Sequence, residues 1–213
     1  VYTAARTCYS ADTPSSIHRR REVNDKLVKS VIKMGHHSVL EHINITFAID
    51  NISRACSHQL VRHRIASYSQ QSQRYVNFKK GFGYVIPPTI GVNKELEQEY
   101  IDMMDNLSGF YKYMVDVYDM PAEDARYLIP NACCTNITMT VNARELIEMC
   151  KLRLCDTAQW EIRTMFESIK ACVSSNRHLR FLSEYLSPKC EWIKYCPEGK
   201  KSCGKIATLK DGE

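Results

Sequence analysis

The stretch INITFAI, residues 43–49, alternates Ile43, Ile45, Phe47 and Ile49 with Asn44, Thr46 and Ala48. Successive side chains of an extended chain point to opposite faces, so this period of two gathers the apolar residues on one side, as in a half-buried strand. The residues before it keep a different period. Val23, Leu27, Val28, Val31, Ile32 and Met34 recur at helical spacing over about 17–34, behind the turn Asp12-Thr-Pro-Ser-Ser, and Gly35 is placed to end that helix. Beyond the strand, Ser53 is the expected N-cap of a short helix in RACSHQLVRHR, residues 54–64.

Further out the pattern stays mixed. Tyr84-Val-Ile-Pro-Pro predicts a second short strand stopped by prolines. Leu96, Tyr100, Met103, Met104, Leu107, Tyr111 and Met114 mark a long amphipathic helix over about 93–119. Another helix is expected to start at Met120-Pro-Ala-Glu-Asp-Ala-Arg, with Pro121 in the first turn and acids at the positive helix end. Residues 142–155 and 158–175 predict two more. There is no repeat, low-complexity run or linker. The expected fold is α+β, several helices packed on a modest antiparallel sheet, with the proline-rich region near 87–91 as a candidate extension of it. Residues 1–213 are expected to form a single domain with a cysteine-containing tail over 188–213.

Composition narrows the function classes. Lys and Arg number 29 against 24 acids, a net charge of +5, which favours anionic ligands without the charge density of a protein that coats DNA. No stretch reaches the roughly 18 to 20 apolar residues of a membrane span, and VYTAARTCYSADTP lacks a secretory apolar segment, so a soluble, unexported, cytoplasmic protein is expected. Ten scattered cysteines suit reduced thiols in a cytosol. Cys190, Cys196 and Cys203 crowd the tail without the paired CxxC spacing of a zinc ribbon, so free thiols are favoured over a metal site, which stays open as the alternative.

The run RHRIASYSQQSQRY, residues 62–75, is the most unusual segment. Arg62, His63, Arg64 and Arg74 offer donors to anions, Ser67, Ser69, Ser72, Gln70, Gln71 and Gln73 offer directional hydrogen bonds, and Ile65 is the single branched aliphatic residue. Arginine forks fit phosphate oxygens, and Tyr68 and Tyr75 are candidates to stack on a ring. These properties serve a nucleotide site, a single-stranded nucleic-acid surface or a polar turn, and the chemistry alone leaves the three open.

Other polar clusters have plain alternatives. Gly35-His36-His37-Ser38 with Glu41-His42 places three histidines and a carboxylate within seven residues, but helical HxxxH spacing is absent, so ligand hydrogen bonding or capping is favoured over metal. Glu123 with Arg126, and Arg144 with Glu148, have the spacing of ordinary surface ion pairs. Arg153, between Leu152 and Leu154, brings a charge near a packed region, where an arginine needs an anion to meet it. Asn142-Ala-Arg-Glu opens the same helix with donors at its positive end.

Arg62-His63-Arg64, seven residues, Ser72 and then Gln73-Arg74-Tyr75 together resemble the signature of flavin-dependent thymidylate synthases. The resemblance continues through Gly35-His36, Glu41-His42, Glu123-Asp124-Ala125-Arg126, Leu128-Ile129-Pro130, Val141-Asn142-Ala143-Arg144, Leu152-Arg153 and Ala158-Gln159-Trp160-Glu161, in the family's order and over most of the chain. It implies an enzyme that converts dUMP to dTMP, with FAD as cofactor, NADPH as reductant and methylenetetrahydrofolate as one-carbon donor. No cysteine nucleophile is implied, since the cofactor carries the difficult chemistry. Nucleic-acid binding is then not expected.

Residue by residue, the resemblance implies that His36, Ser38, Arg62, His63, Arg64, Gln70, Asn142, Arg144 and Glu148 contact FAD. It implies that Gln59, Arg62, Gln70, Gln71, Ser72, Gln73, Arg74, Arg126 and Arg153 surround dUMP. Arg153 is the expected catalytic residue, a fixed cation beside the uracil imide that lowers the cost of an N3 anion. Ser72, without an adjacent general base, is assigned to binding. Glu148 stands where some members have asparagine, and Thr157 where some have histidine. The family's homotetramers, with sites assembled from several subunits, imply the same assembly here.

Overall fold

The computed structural model describes residues 1–20 and 25–208. Val23, expected in the first long helix, lies outside them. The chain divides into two compact units, Val1–Thr46 with Thr140–Glu213, and Phe47–Met139. A three-stranded antiparallel sheet has the order β1-β3-β2, with β1 at Asn44–Ser53, β2 at Ala66–Gln70 and β3 at Cys134–Asn142. The fold is α+β.

Helices α1 (Tyr2–Thr7), α2 (Pro14–Arg19) and α3 (Asp25–Lys33) open the chain. The single helix expected over 17–34 is thus two. Thr13 caps α2 by accepting from the Ser16 N–H, and Pro14 follows in the first turn, so the helix starts earlier and ends at Arg19. Gly35 does end α3. It takes a φ of 83°, its N–H donates to Ile32 at 2.9 Å, and the His36 N–H donates to Val31 at 3.1 Å, the paired bonds of a Schellman motif. Val28, Val31 and Ile32 are buried, whereas Met34, expected on the same face, is 59% exposed beyond the helix end.

A 3-10 turn over His37–His42 leads into β1. The expected alternation holds with Ile45 and Ile49 buried. At Asn51 the backbone turns left-handed, φ 58°, which shifts the alternation so that Ile52 is buried next. Ser53 caps α4 (Arg54–Leu60), accepting from the Cys56 N–H at 3.0 Å. Helix α4 stops at Leu60, short of the expected residue 64, because the chain turns into β2.

Tyr84-Val-Ile-Pro-Pro is not a strand. Tyr84 makes an isolated antiparallel bridge with Cys133, and Pro88–Gly91 forms the short helix α5 instead of extending the sheet, since a ring nitrogen has no N–H for a ladder. Asn93 caps the long α6 (Lys94–Val117). Met104, Tyr111 and Val115 are buried, with Leu96 and Met103 exposed, so the buried stripe is narrower than the apolar pattern suggested. Tyr111, Val115 and Ala125 form a core with Phe78, Met114, Met120, Leu128 and Ile129. Pro121 is the N-cap of α7 (Ala122–Ala125), followed by a 3-10 turn at Arg126–Leu128.

Strand β3, absent from the expectations above, buries Thr135, Ile137, Met139 and Val141. It is the central strand. Helices α8 (Ala143–Arg153) and α9 (Trp160–Ser175) occur as expected. Leu146, Ile147 and Met149 of α8 and Ile162, Phe166 and Ile169 of α9 are buried. A 3-10 segment at Arg180–Tyr185 packs on α9, and α10 (Lys189–Ile193) packs on α8.

Candidate active site

In the Phe47–Met139 unit, the run 62–75 is a loop, an edge strand and a turn. Ala66–Gln70 pairs as β2 at the sheet margin, so a strand with almost no apolar face is accommodated by backbone pairing on one side. The Tyr68 hydroxyl lies 3.0 Å from the Leu60 carbonyl and 2.9 Å from that of His63, which fixes the loop carrying Arg62 and Arg64 and uses the ring as a strut rather than an open stacking platform. Arg62 and Arg64 are exposed, while Gln59 and His63 are half-buried.

The four residues after Ser69 are held from several sides. Gln70 donates through Nε2 to Ser57 Oγ at 2.9 Å and Thr135 Oγ1 at 3.2 Å. The Gln71 backbone donates to the Asn136 carbonyl at 2.9 Å, and its Oε1 accepts from Asn136 Nδ2 at 3.2 Å. Ser72 Oγ accepts from the Arg74 N–H at 3.1 Å, so this serine builds the turn. Gln73 hydrogen-bonds the Cys133 thiol.

Arg74 and Arg126 converge on one residue. Arg74 Nε donates to Glu123 Oε2 at 2.6 Å, and Arg126 Nε donates to the Glu123 carbonyl at 3.0 Å. The simple Glu123–Arg126 ion pair of the sequence is therefore replaced by a long-range pair that brings the turn to α7. Arg54, which was not singled out, is a third cation here: burial lowers its pKa first, Cys133 opposes, and Arg126 lowers it further. A cation at the first position of a helix opposes the helix dipole, and that placement was the available signal. Tyr75 is 79% exposed, with the Arg74 guanidinium 5.3 Å from its ring centre.

In the Val1–Thr46 and Thr140–Glu213 unit, Asn142 caps α8, its Oδ1 accepting from the Glu145 N–H at 2.9 Å. Arg144 does not pair with Glu148. It donates to Glu41 Oε1 at 2.6 Å across the packing of α8 on the 37–42 turn, and Glu148 takes Lys151 at 2.6 Å. His36 and Ser38 are exposed at the start of that turn. Glu41 is a further residue at this corner, legible beforehand as part of the Glu41-His42 pattern.

Arg153 ends α8, half-buried, in the wall of a cavity of about 490 Å³. Asp156, Thr157 and Lys205 also line it, together with Cys155, Cys190, Cys196 and Cys203. Lys205 bonds Asp156 at 2.6 Å, and this contact holds the carboxyl below its usual range. Burial pushes the Cys190 thiol up, and the neighbouring thiols of Cys155 and Cys196 push the same way.

Residues 1–176 match the family model described as thymidylate synthase complementing protein. Two relatives extend the likeness over nearly all of the chain. The flavin-dependent thymidylate synthase of Geobacter sulfurreducens is 43% identical over 213 residues, covering 99% of this chain and 90% of that protein. That of Clostridium tetani is 38% identical over 227 residues, with 99% and 90% covered. A crystal structure of flavin dependent thymidylate synthase ThyX from Helicobacter pylori, complexed with FAD and dUMP, shares the fold with a TM-score of 0.64 at 23% identity, covering 87% of this chain and 93% of that chain. The chain belongs to the flavin-dependent thymidylate synthase family, and it is an enzyme.

Proposed function

We propose that this chain converts dUMP to dTMP with FAD as cofactor, methylenetetrahydrofolate as one-carbon donor and NADPH as reductant, as one catalytic domain over residues 1–213. The observation that carries the reading is the ordered run 62–75, whose arginines, glutamines and Ser72 are held by a strut, an edge strand and a turn instead of forming a free loop. The donor set fits phosphorylated ligands. Arg62, His63 and Arg64 are assigned to FAD with His36, Ser38, Asn142, Arg144 and Glu148, and Gln59, Arg62, Gln70, Gln71, Ser72, Gln73, Arg74, Arg126 and Arg153 to dUMP. Gln70 is assigned to both ligands, with its amide nitrogen already engaged by Ser57 and Thr135.

FAD, when bound, supplies the hydride that completes the methyl group. The chain's own residues do the rest. A guanidinium at Arg153 stabilises negative charge at the uracil N3, and the Arg74 and Arg126 pair orients an anionic group of the nucleotide. Cys133, which touches Gln73, is pushed up to about 11 by burial, which makes this one thiol a poor nucleophile. Among the described residues no helix is long and apolar enough to cross a membrane.

A homotetramer whose sites draw residues from several subunits completes the proposal. Purified protein should carry flavin absorbance that stays with the protein on filtration and is lost on denaturation. NADPH oxidation should depend on dUMP and methylenetetrahydrofolate and yield dTMP in proportion. Protein reconstituted with FAD that oxidises NADPH but forms no dTMP would refute the reading. Sedimentation should give four chains per particle, and a monomer that turns over would remove the tetramer from it.

A further inference from the structure

Helix α6 carries more apolar surface than its own unit covers. Met104, Tyr111 and Val115 form its buried side. A second row faces solvent: Leu96, Met103, Phe110 and Val117 follow one another at seven-residue spacing and are 43%, 56%, 52% and 62% exposed. Beside that row Glu99, Asn106 and Tyr113 are exposed as well, and Leu107 and Met114 are half-buried. Phe110 and Tyr113 stack with ring centres 6.2 Å apart, and Tyr118 meets Tyr113 edge-on at 5.4 Å, so the row ends in an aromatic cluster open to water. A contiguous apolar strip, unlike single scattered residues, marks an interaction surface.

We infer that this row is the seam on which α6 packs against α6 of a second copy of this chain, antiparallel, about a twofold axis. A straight helix drifts by about 20° in seven residues, so a row held at strict seven-residue spacing suits a helix that winds around another helix. The row is about 33 Å long. An axis passing between Asn106 and Leu107 sets Leu96 against the partner's Val117 and Met103 against the partner's Phe110. It also sets Asn106 beside Asn106 of the partner subunit and Glu99 near the partner's Tyr113. Amide meets amide and an acceptor meets a hydroxyl, so the polar flank is self-complementary and fixes the register.

Charge selects the antiparallel sense. The first half of α6 carries Glu95, Glu97, Glu99, Asp102 and Asp105 against Lys94, whereas the second half carries Lys112 and Asp116, one of each sign. A parallel pair would set the two acid-rich halves side by side, where like charges repel. The antiparallel pair sets each acid-rich half beside a half without net charge, and it places the positive end of one helix dipole beside the negative end of the other. The inference rests on the assembly proposed above for its second copy, and not on the flavin chemistry.

The test is the mass of the full chain's particle by sedimentation at low salt, with flavin counted on the same samples. Met103→Lys and Phe110→Glu, each at an exposed side chain, should each halve that mass. The double variant should restore it, because the antiparallel register sets position 103 of one chain against 110 of the other, and high salt should split it again. Should the variants fold poorly, peroxide oxidation of the unmodified protein decides: Met103 should react about tenfold more slowly in the particle than in the urea-unfolded chain, read by mass spectrometry. Unchanged mass in both single variants, a double variant that stays at half mass, or Met103 oxidised equally fast in both states would each overturn the seam while leaving the tetramer in place. An unmodified chain that sediments as a monomer would remove seam and tetramer together and leave the flavin reading standing.

Discussion

Arg74 and Arg126 meet Glu123 in different ways, one at the carboxylate and one at the carbonyl, so a single residue orients two guanidinium groups. The Arg74–Glu123 pair is 55% and 46% exposed, and water screens it. Glu123→Ala should therefore change stability by less than about 1 kcal/mol, while the lost orientation raises the KM for dUMP about fivefold, with kcat nearly unchanged. Denaturant melts and steady-state kinetics check the two halves separately. Arg153→Ala should behave differently: if this cation stabilises charge at the uracil, dTMP formation falls by about 100-fold or more while flavin content stays. Equal loss of both would assign Arg153 to the fold or the cofactor. The sequence made the donor types of the site legible, because the RHR-x7-S spacing is local. It did not make the partners legible: Glu123 meets Arg74 across 49 residues and Glu41 meets Arg144 across 103, and local helix spacing pointed to the wrong pairs.

Several elements owe their ends to one side chain. Asn142 receives the Glu145 N–H, and Ser53 receives the Cys56 N–H, each satisfying a donor that the helix itself leaves open. Asn142→Ala should cost about 1 kcal/mol in a denaturant melt, and Asn142→Asp should restore it. If Asn142 also holds FAD, Asn142→Asp should weaken flavin retention despite the restored stability, since it adds charge of the wrong sign near a phosphate. Flavin retention unchanged in that variant would confine Asn142 to capping. Caps and the β1 alternation could be read in advance because their information lies within a few residues. The central strand was harder. Thr135-Asn-Ile-Thr-Met-Thr-Val141 has period two, but threonine occupies both faces, one buried at Thr135 and another exposed at Thr138, which blurs the apolar contrast. Strand β2 could not be found by an apolar face at all, since its place at the margin is decided by the backbone of β3. Tyr84-Val-Ile failed the other way, having a strand's composition but only a single bridge.

For the whole molecule, burial of thiols sets a limit to stability at high pH. Cys150 on α8 is pushed up to about 12 and Cys133 to about 11, both mainly by burial, from an ordinary value of 9.0. A folded-state pKa above the unfolded one means that the folded protein holds these protons more tightly. Their contribution is complete below the unfolded value, and it is lost as pH rises from there through the folded values. Stability should thus be flat near pH 8 and fall above about pH 9, with a slope approaching about 1.4 kcal/mol per pH unit for each thiol that ionises on unfolding. Denaturant melts taken at intervals up to about pH 10.5 should reveal the fall, and Cys150→Ala, which removes one of the two protons concerned, should make it shallower at the cost of some stability at neutral pH. A limb of unchanged slope in that variant would show that other groups govern alkaline unfolding. Because neither thiol ionises in the folded protein at neutral pH, the same measurement bears on chemistry: a chain whose turnover survives Cys133→Ser and Cys150→Ala reaches dTMP without a thiolate from either buried position.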